Sequence, residues 1–421
     1  MTLSPGLDLF PLLAAVLAAV SCGLLGNFLV LRRLSLMGDA MSHSVLPGLV
    51  IAFMVTGLRT APVMFLGATL AGVVTVVLVE LVKRMGRVEP GAAMGVVFSV
   101  MFAIGVLFIE RAARNTDLDA NCVLHGQLET LAWTSGAPAS WWGVLGAGTL
   151  SAAPPQVWTL LLTAGLSIGL VVLLFKELRL AAFDPAMATA QGFNASLLHY
   201  VLMVFVAGAT VASFEAVGSI LVIAMLIVPA ATARLLTDRL ASQILVSVVV
   251  AIAAAALGYL GSIAVPSMFG KREVNAAGSM AVTLGGLLVL AAVLGPRYGV
   301  LATAIRRARL GRSIAMDDLL GRLYRQEEEG AAPPVVASSV LRRARKRGLV
   351  RAGELALTNQ GRTRAAAIVR RHRLWEAYLV ERAGLAADHV HVAAENLEHL
   401  PETLPPDTAA TDPHGRPIPP A

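Results

Sequence analysis

The segment that decides the fold runs from Met37 to Thr56 and reads MGDAMSHSVLPGLVIAFMVT. Its residues are apolar or small except for Asp39 and His43, and its length matches the roughly 20 residues that an α-helix needs to cross a bilayer. The two ionisable residues are four apart, so on a helix they share one face about one turn from each other. The segment therefore predicts a membrane-spanning helix that carries a polar pair.

An ionisable side chain inside a membrane span is costly and is a functional hypothesis by default. A carboxylate oxygen and an imidazole nitrogen suit Mn²⁺, Fe²⁺ or Zn²⁺ better than Cu⁺, which prefers sulfur ligands. Two alternatives remain from spacing alone: a buried Asp–His hydrogen-bonded pair, or an Asp39 at the membrane interface near Arg33. The pair predicts a divalent-metal site without excluding either alternative.

The rest of the chain extends the membrane interpretation. Hydrophobic residues make up 56% of the sequence and charged residues only 14%, against about 25% charged in soluble proteins. We predict an all-α polytopic membrane protein with eight or nine transmembrane helices. The candidate windows begin near Phe10, Met37, Ala61, Ala92, Val157, Leu197, Ala216, Ile244 and Gly278.

Charge divides the chain into a transmembrane domain, residues 1–300, and a basic domain, residues 301–421, which forms the C-terminal tail. Residues 297–421 hold 20 of the 34 Lys and Arg residues. Basic residues near span ends mark cytoplasmic connections, and here they fall on alternate connections. We therefore expect a multi-pass membrane protein with its N-terminus outside and a cytoplasmic C-terminal domain. The marking residues are Arg32, Arg33, Lys83, Arg84, Arg87, Lys176, Arg179, Arg234, Arg239, Arg297, Arg306 and Arg307.

The C-terminal domain is predicted to be a small α(+β) unit similar to a winged helix. An amphipathic stretch, Met316–Tyr324, precedes an acidic run and a strongly basic helix over Ser338–Leu349. Residues Glu354–Thr358 predict a short wing-like strand. Two helices follow, over Gly361–Arg382 and Asp388–Leu400, and the last 20 residues, rich in Pro, are expected to be irregular or disordered.

The sequence contains no GxxxxGK[ST] phosphate-binding loop, so we expect no enzyme activity and no ATP hydrolysis by a P-loop mechanism. Active transport would draw its energy from another subunit or an ion gradient. With only two cysteines, Cys22 and Cys122, the chain offers neither a thiol-rich zinc module nor a disulfide framework.

Four segments resemble the manganese/zinc/iron ABC transporter permeases. Leu31–Gly48 is similar to the signature of that family. Asp117–Leu128 resembles its outward loop, Phe183–Gly192 its cytoplasmic coupling segment and Val217–Ala233 its Pro-containing late span. The resemblance covers about residues 8–300 in the right order, and it implies that Asp39 and His43 are intramembrane ligands of the passing ion.

The same resemblance implies that the coupling segment docks on an ABC ATPase through Phe183, Asp184, Pro185, Ala188 and Gly192. A simple helix N-terminus, with Asp184 as the cap and Pro185 at the first position, is a compatible alternative. In the outward loop, Asp117 and Asp119 could attract cations or belong to a solvated acidic loop.

The implied function is that of the permease subunit of an ABC importer. Mn²⁺ is the first candidate for the transported ion, with Zn²⁺ or Fe²⁺ as alternatives. No cofactor is expected to be bound permanently. The implied partners are the ATPase, an extracytoplasmic metal-binding protein and a second permease subunit, in a homodimer or heterodimer. A secondary transporter driven by an ion gradient is a further alternative.

The C-terminal domain contains a second group of potential metal ligands. Glu395, Glu398 and His399 share one helical face, and His372 lies upstream in the sequence. Alone, this pattern is also typical of a solvated charged helix. However, residues 317–318, 347–350, 357–361 and 412–415, together with these four, resemble iron- or manganese-dependent repressors of the diphtheria-toxin-repressor type. That resemblance implies a second metal site whose ligands are Asp318, His372, Glu395, Glu398 and His399.

The tail departs from the repressor pattern at two places. Gly321 stands where that family often has another acidic ligand, and the short connection around Pro333 and Pro334 leaves the first helix of a helix-turn-helix shortened or lost. Nucleic acid is thus not the expected partner, and a membrane-tethered metal-responsive DNA-binding regulator is the alternative function. The basic helix also suits anionic membrane lipid, and we expect a regulatory or metal-sensing appendage.

Overall fold

The computed structural model describes residues 5–34, 36–57, 61–112, 126, 128–131, 153–268, 274–330, 336–399 and 409–420. Within α-helices, the side chains of a few residues, including Asp39, Ser42 and His43, also lie outside this description. The chain forms two compact units that divide between Ala302 and Thr303.

The first unit is entirely helical in the part that the structure describes. Nine of its helices there are apolar and at least 18 residues long: α1 Pro5–Leu31, α2 Leu36–Thr56, α3 Ala61–Gly86, α4 Pro90–Ala112, α5 Pro155–Leu173, α8 Ala195–Val217, α9 Ser219–Leu236, α10 Leu240–Met268 and α11 Ala276–Leu294. Two short helices, α6 Phe175–Phe183 and α7 Pro185–Ala190, lie between α5 and α8. Eight of the nine are long and apolar enough to cross a membrane, and the ninth, α2, has 21 residues. The expected all-α multi-pass membrane architecture is confirmed.

Helix α1 lies at the centre of the bundle. It packs against α5, α8, α9 and α10, and its Ala14, Ala18, Leu25 and Phe28 are fully buried. The outer helices instead expose large aliphatic side chains such as Val282. In water such surfaces would be unfavourable, so they indicate faces that contact lipid.

Glycines allow two pairs of these helices, α1 with α9 and α2 with α3, to approach closely. A Cβ placed on Gly26 of α1 would lie 1.7 Å from the carbonyl oxygen of Leu226 in α9. Similarly, a Cβ on Gly48 of α2 would lie 2.2 Å from the carbonyl oxygen of Gly67 in α3. Small residues at helix contacts are the means by which membrane helices gain packing energy, and these contacts position α2 between its neighbours.

The second unit contains four helices in its described residues: α12 Val300–Glu329, α13 Ser338–Lys346, α14 Asn359–Glu381 and α15 His391–Leu397. Its core is formed by Met316, Leu320 and Leu323 of α12 against Ala344, Leu349, Leu357 and Ile368. The predicted amphipathic stretch Met316–Tyr324 is therefore the core-facing part of a 30-residue helix.

The predicted strand Glu354–Thr358 is not confirmed. Pairing consists of one antiparallel bridge, Val350 with Leu357, with backbone hydrogen bonds from Arg351 to Ala356 at 2.9 Å and from Thr358 to Leu349 at 3.1 Å. The ladder ends at Thr358 because this residue also caps α14, where its Oγ1 accepts a hydrogen bond from the Gly361 amide at 3.1 Å. The wing is thus a minimal hairpin rather than a strand of a sheet.

Of the last 20 residues, which the sequence predicts to be irregular or disordered, the structure describes 409–420 as an irregular segment packed by specific contacts. Asp412 is 4% exposed, and its Oδ1 accepts hydrogen bonds from the amides of His414 and Arg416 at 2.9 and 2.8 Å. The side chain of Arg373 in α14 donates to the Pro417 carbonyl at 2.6 Å. Composition predicted a loop correctly, but side chains distant in the sequence hold this loop as an ordered turn.

Candidate metal centres and coupling segment

The first half of α2 is enclosed by protein. Every residue from Met37 to Val45 whose side chain the structure describes is buried. Helix α2 packs against α3, α4, α8 and α9, and a Cβ on Gly38 would lie 2.3 Å from Leu226 Cδ2 of α9. The backbone that carries Asp39 and His43 therefore runs through the interior of the bundle.

Asp39 and His43 are both helical residues of α2, and their spacing puts them on one face about one turn apart. Their side chains lie outside the described residues, so the structure supplies the place of this pair and not its contacts. Asp117 and Asp119 lie wholly outside the described residues.

Leu226 joins three helices next to this pair. Its carbonyl oxygen faces Gly26 of α1 and its side chain faces Gly38 of α2. Pro229 lies three residues further along α9 and is buried. Because a proline inside a helix removes a backbone hydrogen bond and favours a kink, this crossing is a place where α9 can bend beside Asp39.

The coupling segment forms the predicted short helix, α7, between α6 and α8. Asp184 caps it by accepting a hydrogen bond from the Met187 amide at 2.9 Å, and Pro185 is its first residue. Ala188 is fully buried, and Gly192 ends the segment with a φ of 89°, a conformation that glycine adopts without strain. The sequence therefore predicted this local structure correctly.

Two apolar side chains of this segment face outward. Phe183 is 60% exposed and Met187 is 50% exposed, although both lie in a polar connection between spans. A solvent-exposed aromatic residue on a rigid short helix suits an interface with another protein.

In the second unit, a first group of potential metal ligands consists of Asp318, Glu398 and His399. Nε2 of His399 lies 3.1 Å from Oδ1 of Asp318 and 3.7 Å from Oε1 of Glu398. Glu398 is 1% exposed. The structure thus brings α12 and the end of α15 together, although 80 positions separate Asp318 from Glu398 in the sequence.

A second group, His372, Glu376 and His391, lies beside the first. Nε2 of His372 is 3.2 Å from Oε1 of Glu376 and 3.0 Å from Nδ1 of His391, and that nitrogen is 2.9 Å from the same Oε1. Sequence reasoning missed Glu376 and His391. The spacing of His372 and Glu376, four apart on α14, was a usable signal, whereas His391 comes from another helix.

His372 joins the two groups, because its Nδ1 lies 2.6 Å from Oε2 of Glu398. Despite this distance, neither atom has a partner in hydrogen-bonding geometry, and both are buried. Buried polar atoms are nearly always satisfied, so an unsatisfied facing pair requires an explanation. A divalent cation shared by the imidazole and the carboxylate would satisfy both, and nitrogen and oxygen donors fit Mn²⁺, Fe²⁺ or Zn²⁺.

The ionisable side chains of these two ligand groups shift one another's pKa values. Burial acts to lower the pKa of His372, but the adjacent carboxylates of Glu376 and Glu398 outweigh it and raise that pKa. Burial acts to raise the pKa of Glu376, but hydrogen bonds with His372 and His391 lower it to about 2. At Asp318, burial raises the pKa. The side chains therefore place two carboxylates, those of Glu376 and Glu398, against the buried imidazole of His372.

Glu395, the remaining residue of the predicted tail site, is partly buried on α15. Its charge acts on Asp318 and contributes to raising the pKa of that carboxyl, but it belongs to neither three-residue group. The predicted residues Asp318, His372, Glu398 and His399 are thus in direct proximity, with Glu395 at their edge.

Comparisons with known proteins divide the chain in the same way. The model of the ABC 3 transport family matches residues 9–135 and 144–295. The model of the iron dependent repressor, metal binding and dimerisation domain matches residues 358–404.

The chain is 38% identical over 300 residues to the manganese transport system membrane protein MntD of Bacillus subtilis, covering 71% of this chain and 96% of that protein. It is 34% identical over 305 residues to the zinc transport system membrane protein TroD of Treponema pallidum, covering 72% of this chain and 77% of that protein. A solved structure, PsaBC from Streptococcus pneumoniae in complex with Fab, matches with a TM-score of 0.55 at 28% identity, over 69% of this chain and 92% of the solved chain.

Proposed function

The chain belongs to the ABC 3 transport family, and on that premise we propose that it is the permease subunit of an importer for a divalent transition metal ion. Mn²⁺ is the first candidate as cargo, with Zn²⁺ or Fe²⁺ as alternatives. The similarity to a manganese and a zinc transport protein supports this proposal. The transport role is not enzymatic, and ATP hydrolysis falls to a separate subunit.

The observation that carries the proposal is the position of Asp39 and His43 on an enclosed stretch of α2. A carboxylate and an imidazole on one helical face can replace part of the water shell of a passing ion, which hydrocarbon cannot do. The ion remains cargo, because entry and exit both require that it is bound only in passing. Alternating access would expose the pair first to the outside and then to the cytoplasm.

The direct test is uptake of radioactive Mn²⁺ into proteoliposomes that contain this chain, its second permease subunit and the ATPase. We expect uptake that requires ATP and a functional ATPase. Competition by unlabelled Zn²⁺ and Fe²⁺ identifies the preferred ion. Uptake that continues without any ATPase would contradict the proposal and support an ion-gradient transporter instead.

The proposed importer also contains an extracytoplasmic metal-binding protein, which delivers the ion, and a second permease subunit that is either another copy or a homologue. The exposed Phe183 and Met187 of the coupling segment support an ATPase contact on the cytoplasmic side. In this arrangement the membrane is the bacterial cytoplasmic membrane, and the C-terminal unit is cytoplasmic, as the basic connections predict.

Replacing Phe183 with Ala tests the coupling segment. An exposed aromatic anchor at an interface typically contributes about 2 kcal/mol, so we expect the ATPase to bind about thirtyfold more weakly. The matched control is Asn194→Ala, which removes the cap of α8, a hydrogen bond from the Leu197 amide at 2.9 Å, and keeps Phe183. Binding is measured by titrating the labelled ATPase onto the purified permease. Equal affinities for the two variants would contradict a docking role for Phe183.

A second function of the protein, located in its C-terminal unit, is supported by the buried atoms of His372 and Glu398 that have no hydrogen-bond partner. We propose that the second unit binds a divalent metal through Asp318, His372, Glu395, Glu398 and His399 as a metal-responsive regulatory appendage. We expect the end of α13 to favour anionic lipid over nucleic acid. Its basic residues there, with the residue that follows the helix, are Arg342, Arg343, Arg345, Lys346 and Arg347. A metal-dependent shift of a specific DNA by the full chain would instead support the DNA-binding regulator.

Replacing Glu398 with Gln tests the tail site, because this carboxylate contacts both histidines of the cluster. Loss of a direct ligand should cost at least the tenfold to hundredfold that loss of an outer-shell partner costs. Equilibrium dialysis of Mn²⁺ against the full chain should therefore lose one binding event, with His389→Ala as the control. His389 is 77% exposed and pairs with Asp388 outside the cluster. Identical metal stoichiometry in both variants would refute the tail site.

A further inference from the structure

A basic pocket lies in the first unit where α1, α3 and α8 meet beside the coupling segment. It has a volume of about 420 Å³, and its walls include Arg32, Arg33, Lys83 and Arg84, with Glu80 as the one carboxylate. Ala181 and Ala182 of α6 and Pro185 of the coupling segment also contribute to its wall. All these residues lie at helix ends that the sequence assigns to the cytoplasmic side.

The positive charge of this pocket is only partly neutralised. Glu80 is shared by Lys83 and Arg84, at 3.2 Å each. Arg32 donates to a histidine, His199 Nδ1, at 2.9 Å, and its own Nε is buried without a hydrogen-bond partner. Since a buried donor without an acceptor costs free energy, the pocket has both the charge and an unsatisfied donor for an anion.

Arg33 occupies a position that favours glycine. Its φ is +58°, and it follows α1 in a C-terminal motif in which the Leu34 amide bonds to the Leu29 carbonyl at 2.9 Å and the Arg33 amide to the Val30 carbonyl at 3.2 Å. Glycine usually stands at this point, because other residues are strained there. Arg33 thus places a cation on the pocket wall at a backbone position that is strained for any residue with a side chain.

An apolar groove continues from the pocket into the bundle. It has a volume of about 340 Å³ and is lined by Val73, Val76 and Val77 of α3 and by Tyr200, Met203 and Val204 of α8. Tyr200 belongs to both cavities. On α3, the groove residues come one to three helical turns before the pocket residues in the sequence, and on α8 they come after them. Both directions lead away from the cytoplasmic ends of these helices, so the groove lies deeper in the membrane.

The dimensions of the two cavities fit one leaflet. From Arg84 back to Val73, eleven residues of α3 at 1.5 Å each span about 16 Å. Half of a typical hydrocarbon core is about 15 Å. A ligand that fills both cavities is therefore anionic at the cytoplasmic end and apolar over one leaflet's depth.

We propose that an anionic phospholipid of the cytoplasmic leaflet binds here, with its phosphate among Arg32, Arg33, Lys83 and Arg84 and an acyl chain in the groove between α3 and α8. Basic pockets between membrane helices on the cytoplasmic side are suited to lipid headgroups. Because Ala181, Ala182 and Pro185 line the same pocket, the bound lipid also contacts the coupling segment and supports its position.

The headgroup is tested with Arg33→Gly and Arg87→Gly in the purified full-length chain. Arg87 also has a positive φ, +49°, and is exposed, but it does not line the pocket. Both variants remove one cation and relieve the same backbone strain, so neither should misfold. Native mass spectrometry with phosphatidylglycerol should show about fivefold weaker binding for Arg33→Gly and unchanged binding for Arg87→Gly.

The acyl chain is tested with Val77→Trp, which fills the groove, and Val74→Trp as the control. Val77 and Val74 lie on the same helix and are 50% and 42% exposed, but only Val77 lines the groove. We expect weaker phosphatidylglycerol binding for Val77→Trp alone, and little binding of phosphatidylcholine to any variant.

Three results would overturn the proposal. The first is equal lipid binding by Arg33→Gly and Arg87→Gly. The second is displacement of the lipid by millimolar inorganic phosphate with no effect of Val77→Trp, which would make the pocket a site for free phosphate. The third is unchanged lipid binding but weaker ATPase binding in Arg33→Gly, which would assign the pocket to an acidic segment of the ATPase.

Discussion

Replacing His43 with Ala is expected to lower Mn²⁺ uptake at least about a hundredfold, to the level of liposomes without the importer. Loss of an outer-shell partner alone costs a metal site tenfold to a hundredfold, and His43 is proposed to contact the ion itself. Without the imidazole, the ion would have to enter the enclosed turn of α2 with one protein ligand fewer. Asp39→Ala should have an effect of similar size.

Ser44→Ala is the matched control for this result. Ser44 lies next to His43 on α2 and is fully buried, and its hydroxyl donates only within the helix, to the Met41 carbonyl at 3.2 Å. We expect nearly normal uptake from this variant. Both variants should bind the ATPase as the unmodified chain does, since the coupling segment is unchanged. Normal uptake by His43→Ala would remove the proposed ion site.

Replacing Gly26 with Ala is expected to prevent the bundle from folding normally. The new Cβ would lie 1.7 Å from the Leu226 carbonyl oxygen, whereas real Cβ contacts essentially never fall below 3.0 Å. Helices α1 and α9 would have to separate by more than 1 Å, and backbone atoms cannot rotate away as a side chain can. Since overpacking of a core typically costs 1–3 kcal/mol through side-chain shifts, we expect destabilisation of at least about 3 kcal/mol.

The measurement is thermal unfolding of the purified chain in detergent, together with the yield of monodisperse protein. Gly169→Ala is the control, because a Cβ on Gly169 of α5 would meet no described atom within 4 Å. Alanine is favoured over glycine in a helix by up to about 1 kcal/mol, so this variant should be at least as stable as the unmodified chain. If Gly26→Ala unfolds at the same temperature as Gly169→Ala, the close crossing of α1 and α9 is wrong.

The helices and the coupling segment could be predicted because their signals are local. Each span is a continuous apolar window of sequence. The start of α7 is marked by Asp184, its N-terminal cap, and Pro185, its first residue. The wing-like strand Glu354–Thr358 could not be judged in this way. Its residues suit an extended conformation, but the length of the ladder depends on where α14 begins, and Thr358 both bonds to Leu349 and caps that helix.

The tail site was predictable only in part for a related reason. Glu395, Glu398 and His399 share a helical face by spacing, and resemblance added Asp318 and His372. Glu376 has a sequence signal, since it stands four residues after His372 on α14. His391 has none, because it reaches the cluster from a different helix.

By itself, the sequence determined that the chain is a multi-pass helical membrane protein with a polar pair on α2 and a basic C-terminal unit. These properties follow from hydropathy, charge and helical period, which a short window of residues contains. Only the tertiary structure decided that α1, α2 and α9 meet at Leu226, that His372 faces Glu398 without a hydrogen bond, and that residues 409–420 form an ordered turn. Each of these depends on atoms far apart in the chain, whose contacts are determined by packing and steric exclusion.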